Sequence, residues 1–356
     1  MRKLILLLLL VSPVLLLAQN SLSIKVQPTL VYIEKGDVQQ QLNFDFLINN
    51  ISADTFTLTK ISVSLFDQDN LLLHTRFLDN NGTAPSIKTI PNRTLMGVSN
   101  ELVFNPFASF SNSLPIHKIK FDLIYTNNND SDVQISTTVY PQLYKQQQQY
   151  SMPLKGRILV YDAHDAYSHH RRFNYEFAPI KSLGIEANFM RYAYDFVSLD
   201  NNNQQFKTGG ETSEDYFGYG QDVFAVGAGK VIYASNLHKD DKQFDIPKLA
   251  ANALELYGNC IAIEHAKGVV SIYGHLKQNS LSIKVGDRVT SNQLIGKIGV
   301  SGSSFFPHLH FEMRDGITGS SEGIPSYFKN VYILEGKAKS MVQSGLVETG
   351  SIIEAK

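Results

Sequence analysis

Three separated stretches of the sequence each present an imidazole or a carboxylate in an apolar, strand-like setting: His308-Leu309-His310-Phe311-Glu312, Tyr273-Gly274-His275-Leu276, and Arg191-Tyr192-Ala193-Tyr194-Asp195-Phe196. On a strand, the two rings of His308-x-His310 share a face. One can bind a metal while the other points at whatever the metal holds. Asp195 stands between Tyr194 and Phe196, where a buried carboxylate is costly unless a cation compensates it. Zinc is the natural cation. It takes His nitrogen and carboxylate oxygen at about 2 Å and, in a catalytic site, keeps three protein ligands and one open position. The small-residue loop Gly299-Val300-Ser301-Gly302-Ser303-Ser304 is expected to leave room for the backbone of an extended ligand beside the His pair.

These groups need a scaffold that brings distant segments together. Gly229–Ala234, Cys260–His265, Val269–His275, Val285–Val289 and Leu294–Gly299 read as short strands between Gly-containing turns, with one inserted helix from Pro247 to Tyr257. Before them, from about Leu22 to Tyr140, apolar and polar residues alternate in short runs, such as Leu42, Phe44, Phe46 and Ile48 or Ile119, Phe121, Leu123 and Tyr125. Half-buried strands without helical periodicity predict an antiparallel, immunoglobulin-like sandwich. The polar run Lys145-Gln146-Gln147-Gln148-Gln149 reads as a connector. The expected organisation is all-β in the main, with a signal peptide over 1–18, a sandwich over 19–142, a Gln-rich linker over 143–152, the metal-site domain over 153–334 and a tail over 335–356. The tail alternates enough for one more strand pair around Gly345 and Gly350.

Composition narrows the function classes. A formal net charge of -1 leaves no electrostatic footprint for nucleic acid. Arg2 and Lys3 ahead of the apolar runs Leu4–Val11 and Val14–Ala18 are the marks of a cleaved secretory signal. No stable membrane span is expected after cleavage, and no cysteine follows the run to carry a lipid. Cys260, the single cysteine, excludes an intrachain disulfide and reads as a buried structural thiol.

Taken together, and in this order, Tyr192–Phe196, Val223–Val231, Tyr257-Gly258-Asn259, the His265 strand, Tyr273–Leu276, Val285–Val289 with Gln293–Gly296, and His308–Glu312 resemble the peptidase M23 family of zinc endopeptidases, the lysostaphin and LytM type, over roughly 153–328. The resemblance implies a small antiparallel β-sheet scaffold with a narrow groove, Zn2+ as cofactor, and peptide cross-links of bacterial peptidoglycan as substrate. By it Asp195 and His310 are zinc ligands, while His275 and His308 activate water and stabilise the oxyanion. The place of a periplasmic or secreted cell-wall protein follows, with stem or cross-bridge peptides as partners and a protein partner open to the sandwich.

One position departs from the family. Its usual first ligand is a His four residues before the Asp, and that place is Arg191, whose guanidinium stays protonated and cannot bind zinc. Two readings follow. Either a displaced ligand comes from Ser168-His169-His170-Arg171-Arg172, with His170 favoured over His169, or the metal is lost and the domain binds cell wall or activates an amidase without cutting. In the first, Arg191 is expected to pair with Asp195 or reach a substrate carboxylate. Of the other histidines, His164 is expected to join the site or sit in an exposed turn, His238 to lie in a solvated loop, and His265 to be structural.

Overall fold

The computed structural model describes residues 21–81 and 86–356; the expected signal segment over 1–18 lies outside the described residues. Among them, no helix is long and apolar enough to cross a membrane. The chain is nearly all β, in two parts.

In the N-terminal part, the strands Asp132–Val139, Lys118–Asn127, Phe56–Phe66 and Leu72–Asp79 lie side by side in that order, and two smaller sheets complete a sandwich around one core. Phe44, Phe46 and Phe121 meet edge to face at its centre, 4.9–5.6 Å apart. The alternating run from Leu42 to Ile48 is not one strand. It breaks into Gln39–Leu42 and Asp45–Asn50, which belong to different sheets. The break coincides with Asn43 and Asp45, buried polar residues whose side chains serve the second part of the molecule.

The second part is built on an eleven-stranded sheet. The strand Leu309–Arg314 lies between Val269–Gly274 and Tyr194–Leu199. Leu309, Phe311 and Met313 from the first, Tyr273 from the second, and Tyr194 and Phe196 from the third enter one core. By the two-residue period of a strand, His310 and Asp195 must then face away from it. The C-terminal residues differ from the expected strand pair. Ala338–Met341 pairs with Val331–Glu335, while Ile352–Ala355 inserts between Val331–Glu335 and Gly156–Asp162 as a full member of the sheet. The helix expected from Pro247 to Tyr257 is divided. An α-helix over Ile246–Ala251 stops at Asn252, whose φ of -151 ends it and whose side chain caps the following 3-10 turn Ala253–Tyr257.

The two parts share apolar packing: Leu102 and Phe104 of the sandwich sit in one cluster with Tyr175, Ile185, Phe189 and Met190. The Gln-rich connector is pinned as well, since Gln146 Nε2 donates to the Tyr327 carbonyl and its Oε1 accepts from the Tyr327 amide, at 3.0 and 2.7 Å.

His164 also lies at this junction, neither in the metal site nor in an exposed turn. It is buried between Tyr192 and Tyr194, with Nε2 3.3 Å from Glu34 Oε2 of the sandwich. Burial opposes its protonation, but the carboxylates of Glu34 and Asp165 outweigh burial and raise its pKa. A group raised on folding stabilises the fold fully below its unfolded pKa of about 6.5, and that contribution is lost as pH rises through the folded value. His164→Gln should therefore cost about 3–5 kcal/mol below about pH 6, the range for breaking a buried pair. The cost should shrink well above neutrality. Urea unfolding at both pH values reads this directly, and an equal cost at both would mean that the pair is not ionic.

Candidate metal centre

Sheet register brings the chemistry together. Asp195 is the direct cross-strand partner of His310, and Gly274, which precedes His275, is its partner on the other side. Directly opposed residues on one face stand within reach of each other. His310 Nδ1 lies 3.0 Å from Asp195 Oδ1, and His308 Nε2 lies 3.5 Å from the same oxygen.

His170 arrives from the long segment between the strands Gly156–Asp162 and Tyr194–Leu199. Its Nε2 is 3.5 Å from Asp195 Oδ1. One donor atom each from His170, Asp195 and His310 lies within 4.8 Å of the others, and all three residues are buried. His169 instead turns outward, its side chain 65% exposed, with Nδ1 2.7 Å from Asp162 Oδ2. Asp162, which no motif of the sequence marks, also meets His170 Nδ1 at 3.1 Å, and the Ala163 carbonyl is 3.2 Å from the same nitrogen. Such partners place the ring proton on Nδ1 and leave Nε2 free to coordinate. The signal was present: Asp162 ends an apolar strand in the same way that Asp195 opens within one.

His310, Glu312 and Arg314 follow one another on the same strand face. Glu312 Oε2 lies 3.6 Å from His310 Nε2, and its other oxygen is held by Arg314 Nε at 2.6 Å. Arg314 in turn donates to the Tyr257 hydroxyl at 2.7 Å, and the Tyr257 ring stacks on His310 at 4.6 Å. Glu312 was visible in the motif, but its orienting place behind His310 follows only from the fold.

His275 and His308 face each other, ring centroids 4.9 Å apart. His275 Nδ1 is 2.9 Å from the Ser301 carbonyl and His308 Nδ1 is 2.8 Å from that of Phe306. A carbonyl partner assigns a proton to Nδ1 in both rings, which leaves Nε2 of neutral His275 as an acceptor, while Nε2 of His308 is the atom turned to Asp195. The backbone of His275 is left-handed, φ 58, and is held by its N–H donating to Tyr257 and its carbonyl accepting from Gly299. A non-Gly residue kept there is constrained by its surroundings.

The glycines of the loop at 299–304 face the chain itself rather than open space. A Cβ on Gly302 would stand 2.4 Å from Gly258 N, and one on Gly299 would stand 2.5 Å from Lys277 N. These glycines let the chain pack on itself, and Gly258 and Gly302 also adopt positive φ. Arg191 is not where expected. It is fully buried, with Nη1 2.6 Å from Asp45 Oδ2 and Nε 2.6 Å from Glu322 Oε1, and it does not pair with Asp195. The sandwich supplies a carboxylate that the local sequence does not contain.

Electrostatics follow this layout. Burial works against ionised Asp195, yet the imidazoles of His170 and His308 and the hydrogen bonds from His308 and His310 outweigh it and hold the carboxyl well below its usual range. Burial, together with the neighbouring His308 and His310, pushes His275 well below the usual imidazole value. It is a neutral ring at pH 7. Burial also opposes protonation of His310, but Asp195 and Glu312 hold it up at about 9.

Two imidazoles and a carboxylate, buried and turned toward one another, are a donor set that fits zinc. Among the described residues, the side chains that meet Asp195 are imidazoles rather than lysine or arginine. The remaining histidines are occupied elsewhere. His238 is partly buried, its Nε2 3.5 Å from Glu255, rather than lying in a freely solvated loop, and His265 bridges the Ala228 carbonyl and Ser271 Oγ. Cys260 is fully buried, and burial pushes its thiol up.

The sequence pattern of peptidase family M23 matches residues 212–322, a span that includes His275, His308 and His310 and stops short of His170 and Asp195. The DD-carboxypeptidase/endopeptidase Mpg of Neisseria meningitidis is 41% identical over 58 residues, 16% of this chain and 13% of that protein. The murein hydrolase activator EnvC of Escherichia coli is 38% identical over 66 residues, 18% of this chain and 15% of that protein. The chain thus spans under a sixth of the length of each. A solved structure of the M23 metalloprotease pseudoalterin aligns with 56% of this chain and 97% of its own, at 14% identity and a TM-score of 0.31.

Proposed function

On the premise that this chain carries a domain of peptidase family M23, we propose that the protein is an extracytoplasmic zinc endopeptidase acting on the peptide cross-links of bacterial peptidoglycan. The observation that carries the reading is the approach of donor atoms from His170, Asp195 and His310 to within 4.8 Å of one another, beside the facing rings of His275 and His308. An M23 endopeptidase among the relatives supports the substrate class.

In this reading His170, Asp195 and His310 would hold the metal. A zinc ion held there would supply Lewis acidity and a water of lowered pKa. Asp162 and Glu312 orient the two imidazole donors from behind. His275, with Nδ1 tied to a backbone carbonyl, presents Nε2 as proton acceptor, and His308, tied in the same way, donates through Nε2 when protonated. They act as general base and as partners of the developing oxyanion. Asp195 and His308 keep 9% and 7% of their side-chain surface exposed, which defines the side from which a peptide reaches them.

A second reading is a wall-binding or amidase-activating domain without hydrolysis. Arg191 favours it, because the place of the family's usual first ligand is committed to Asp45 and Glu322, and so does the similarity to a hydrolase activator. One experiment separates the two: metal analysis of the purified chain after exposure to zinc, coupled to mass spectrometry of digested sacculi. About one zinc per chain with newly cleaved cross-links is the expected result. A metal-free protein that releases no muropeptides would establish the second reading.

A further inference from the structure

Directly behind the metal centre, charged groups from both parts of the molecule form one buried knot. Asp45 lies in the sandwich strand Asp45–Asn50 and is completely buried. Its two oxygens divide between two arginines, Arg171 Nη1 at 3.0 Å and Arg191 Nη1 at 2.6 Å. Arg171 also donates through Nη2 to the carbonyls of Phe44 and Asn105, at 3.2 and 3.4 Å, both in the sandwich. Asn43 Nδ2 donates to the Arg191 carbonyl at 2.7 Å. From the other side, Asn188 Nδ2 holds the carbonyls of His170 and Arg171, at 3.0 and 3.3 Å.

The segment so held has little structure of its own. Between Asp162 and Tyr194 its only regular element is the short helix Ala178–Lys181. It nevertheless carries His170 at one point and leads into the Asp195 strand at the other. Arg171 is the next residue after His170, and Arg191 stands four before Asp195. Both anchors therefore sit within a few residues of a metal donor, and both converge on one carboxylate from a different sheet.

We propose that Asp45 of the N-terminal sandwich is a positioning residue for the metal centre, fixing His170 and the approach to Asp195 through Arg171 and Arg191. The inference rests on the metal-site reading given above. Arg191 is thus an anchor between the two parts, and His170 comes from a segment that the same carboxylate holds through Arg171. Arg171 depends on Asp45 most. Among the described residues its ion pair is with Asp45 alone, whereas Arg191 meets both Asp45 and Glu322. Without Asp45, Arg171 keeps only neutral carbonyls, and a buried guanidinium so placed moves toward water and takes His170 with it.

The test uses the full chain with Asp45→Asn and Asp45→Glu. Asp37→Ala serves as control, because Asp37 joins the sandwich to the backbone at Gln343 and Ser344 away from the knot. Zinc affinity by chelator competition and the visible spectrum of the Co2+-loaded protein are read alongside thermal unfolding. Asp45→Asn should lose about ten- to hundredfold in zinc affinity, as removal of outer partners of a metal ligand does, with a weakened Co2+ spectrum from a missing donor. Asp45→Glu should recover part of both, and Asp37→Ala should change neither. A folded Asp45→Asn protein with wild-type affinity and spectrum overturns the proposal and leaves the metal-site reading intact. A wild-type chain that retains no metal overturns both. Should Asp45→Asn fail to fold, Arg171→Met, which leaves Asp45 paired with Arg191, carries the same expectation, and unchanged metal binding in it would be equally decisive.

Discussion

Replacing His310 with Ala is expected to abolish zinc retention and, with it, any cleavage of peptidoglycan. His310 is the proposed donor with the most support: its strand is flanked on both sides, its cross-strand partner is Asp195, and Glu312 and Tyr257, both held by Arg314, bear on its ring. Loss of an outer hydrogen-bond partner costs about ten- to hundredfold in metal affinity, so loss of the donor itself must cost more. Metal content after gel filtration in zinc-free buffer should fall to a small fraction of the wild-type value. His170→Ala should behave in the same way, and His169→Ala should not, because the His169 ring turns to solvent and Asp162. Unchanged stoichiometry in His170→Ala would transfer the third-donor role elsewhere. Full activity in His310→Ala would end the proposed mechanism.

Replacing His308 or His275 with Ala is expected to separate metal binding from turnover. Neither ring belongs to the buried donor group of His170, Asp195 and His310, so zinc stoichiometry should remain near that of wild type. Activity should not. A positioned acid or base contributes about 10²–10⁴ in rate, equivalent to roughly 3–5 kcal/mol of barrier. The loss should fall on kcat rather than KM, since the rings act on the reacting groups and not on the rest of the peptide. His275 has a further requirement, a left-handed backbone at φ 58, which Asn tolerates better than most residues. His275→Asn therefore serves as the companion variant, removing the base with least disturbance of the turn. Loss of zinc together with activity in His308→Ala would recast His308 as a donor. Retained turnover in both variants would place the acid–base chemistry on other groups.

Much of this site was legible in the sequence, and for a definite reason. The two-residue period of a strand is a property of the backbone itself. His308-x-His310 and Tyr194-Asp195-Phe196 therefore announced which side chains share a face and which of them need a compensating charge, before any partner was known. The same logic held for the strands Phe56–Phe66 and Lys118–Asn127, whose apolar residues entered the sandwich core as their alternation implied. It failed at Leu42 to Ile48. There the run was cut so that Asn43 and Asp45 could serve a neighbour more than a hundred residues away in sequence. The helix from Pro247 also gave way locally, at Asn252, where side-chain capping of a new turn won over continuation.

Sequence alone thus determined which imidazole and carboxylate side chains stand on a common face and most of the strands that carry them, because these depend on residue type and on short-range period. Only the tertiary structure decided that His170 rather than His169 turns inward, that Asp162 and Glu312 stand behind the imidazoles, and that Arg191 belongs to Asp45 and Glu322. A buried charge pairs with whichever opposite charge the folded chain brings within about 3 Å in a medium too apolar to screen it. That partner is set by how two separate sheets pack against each other, which no local pattern encodes.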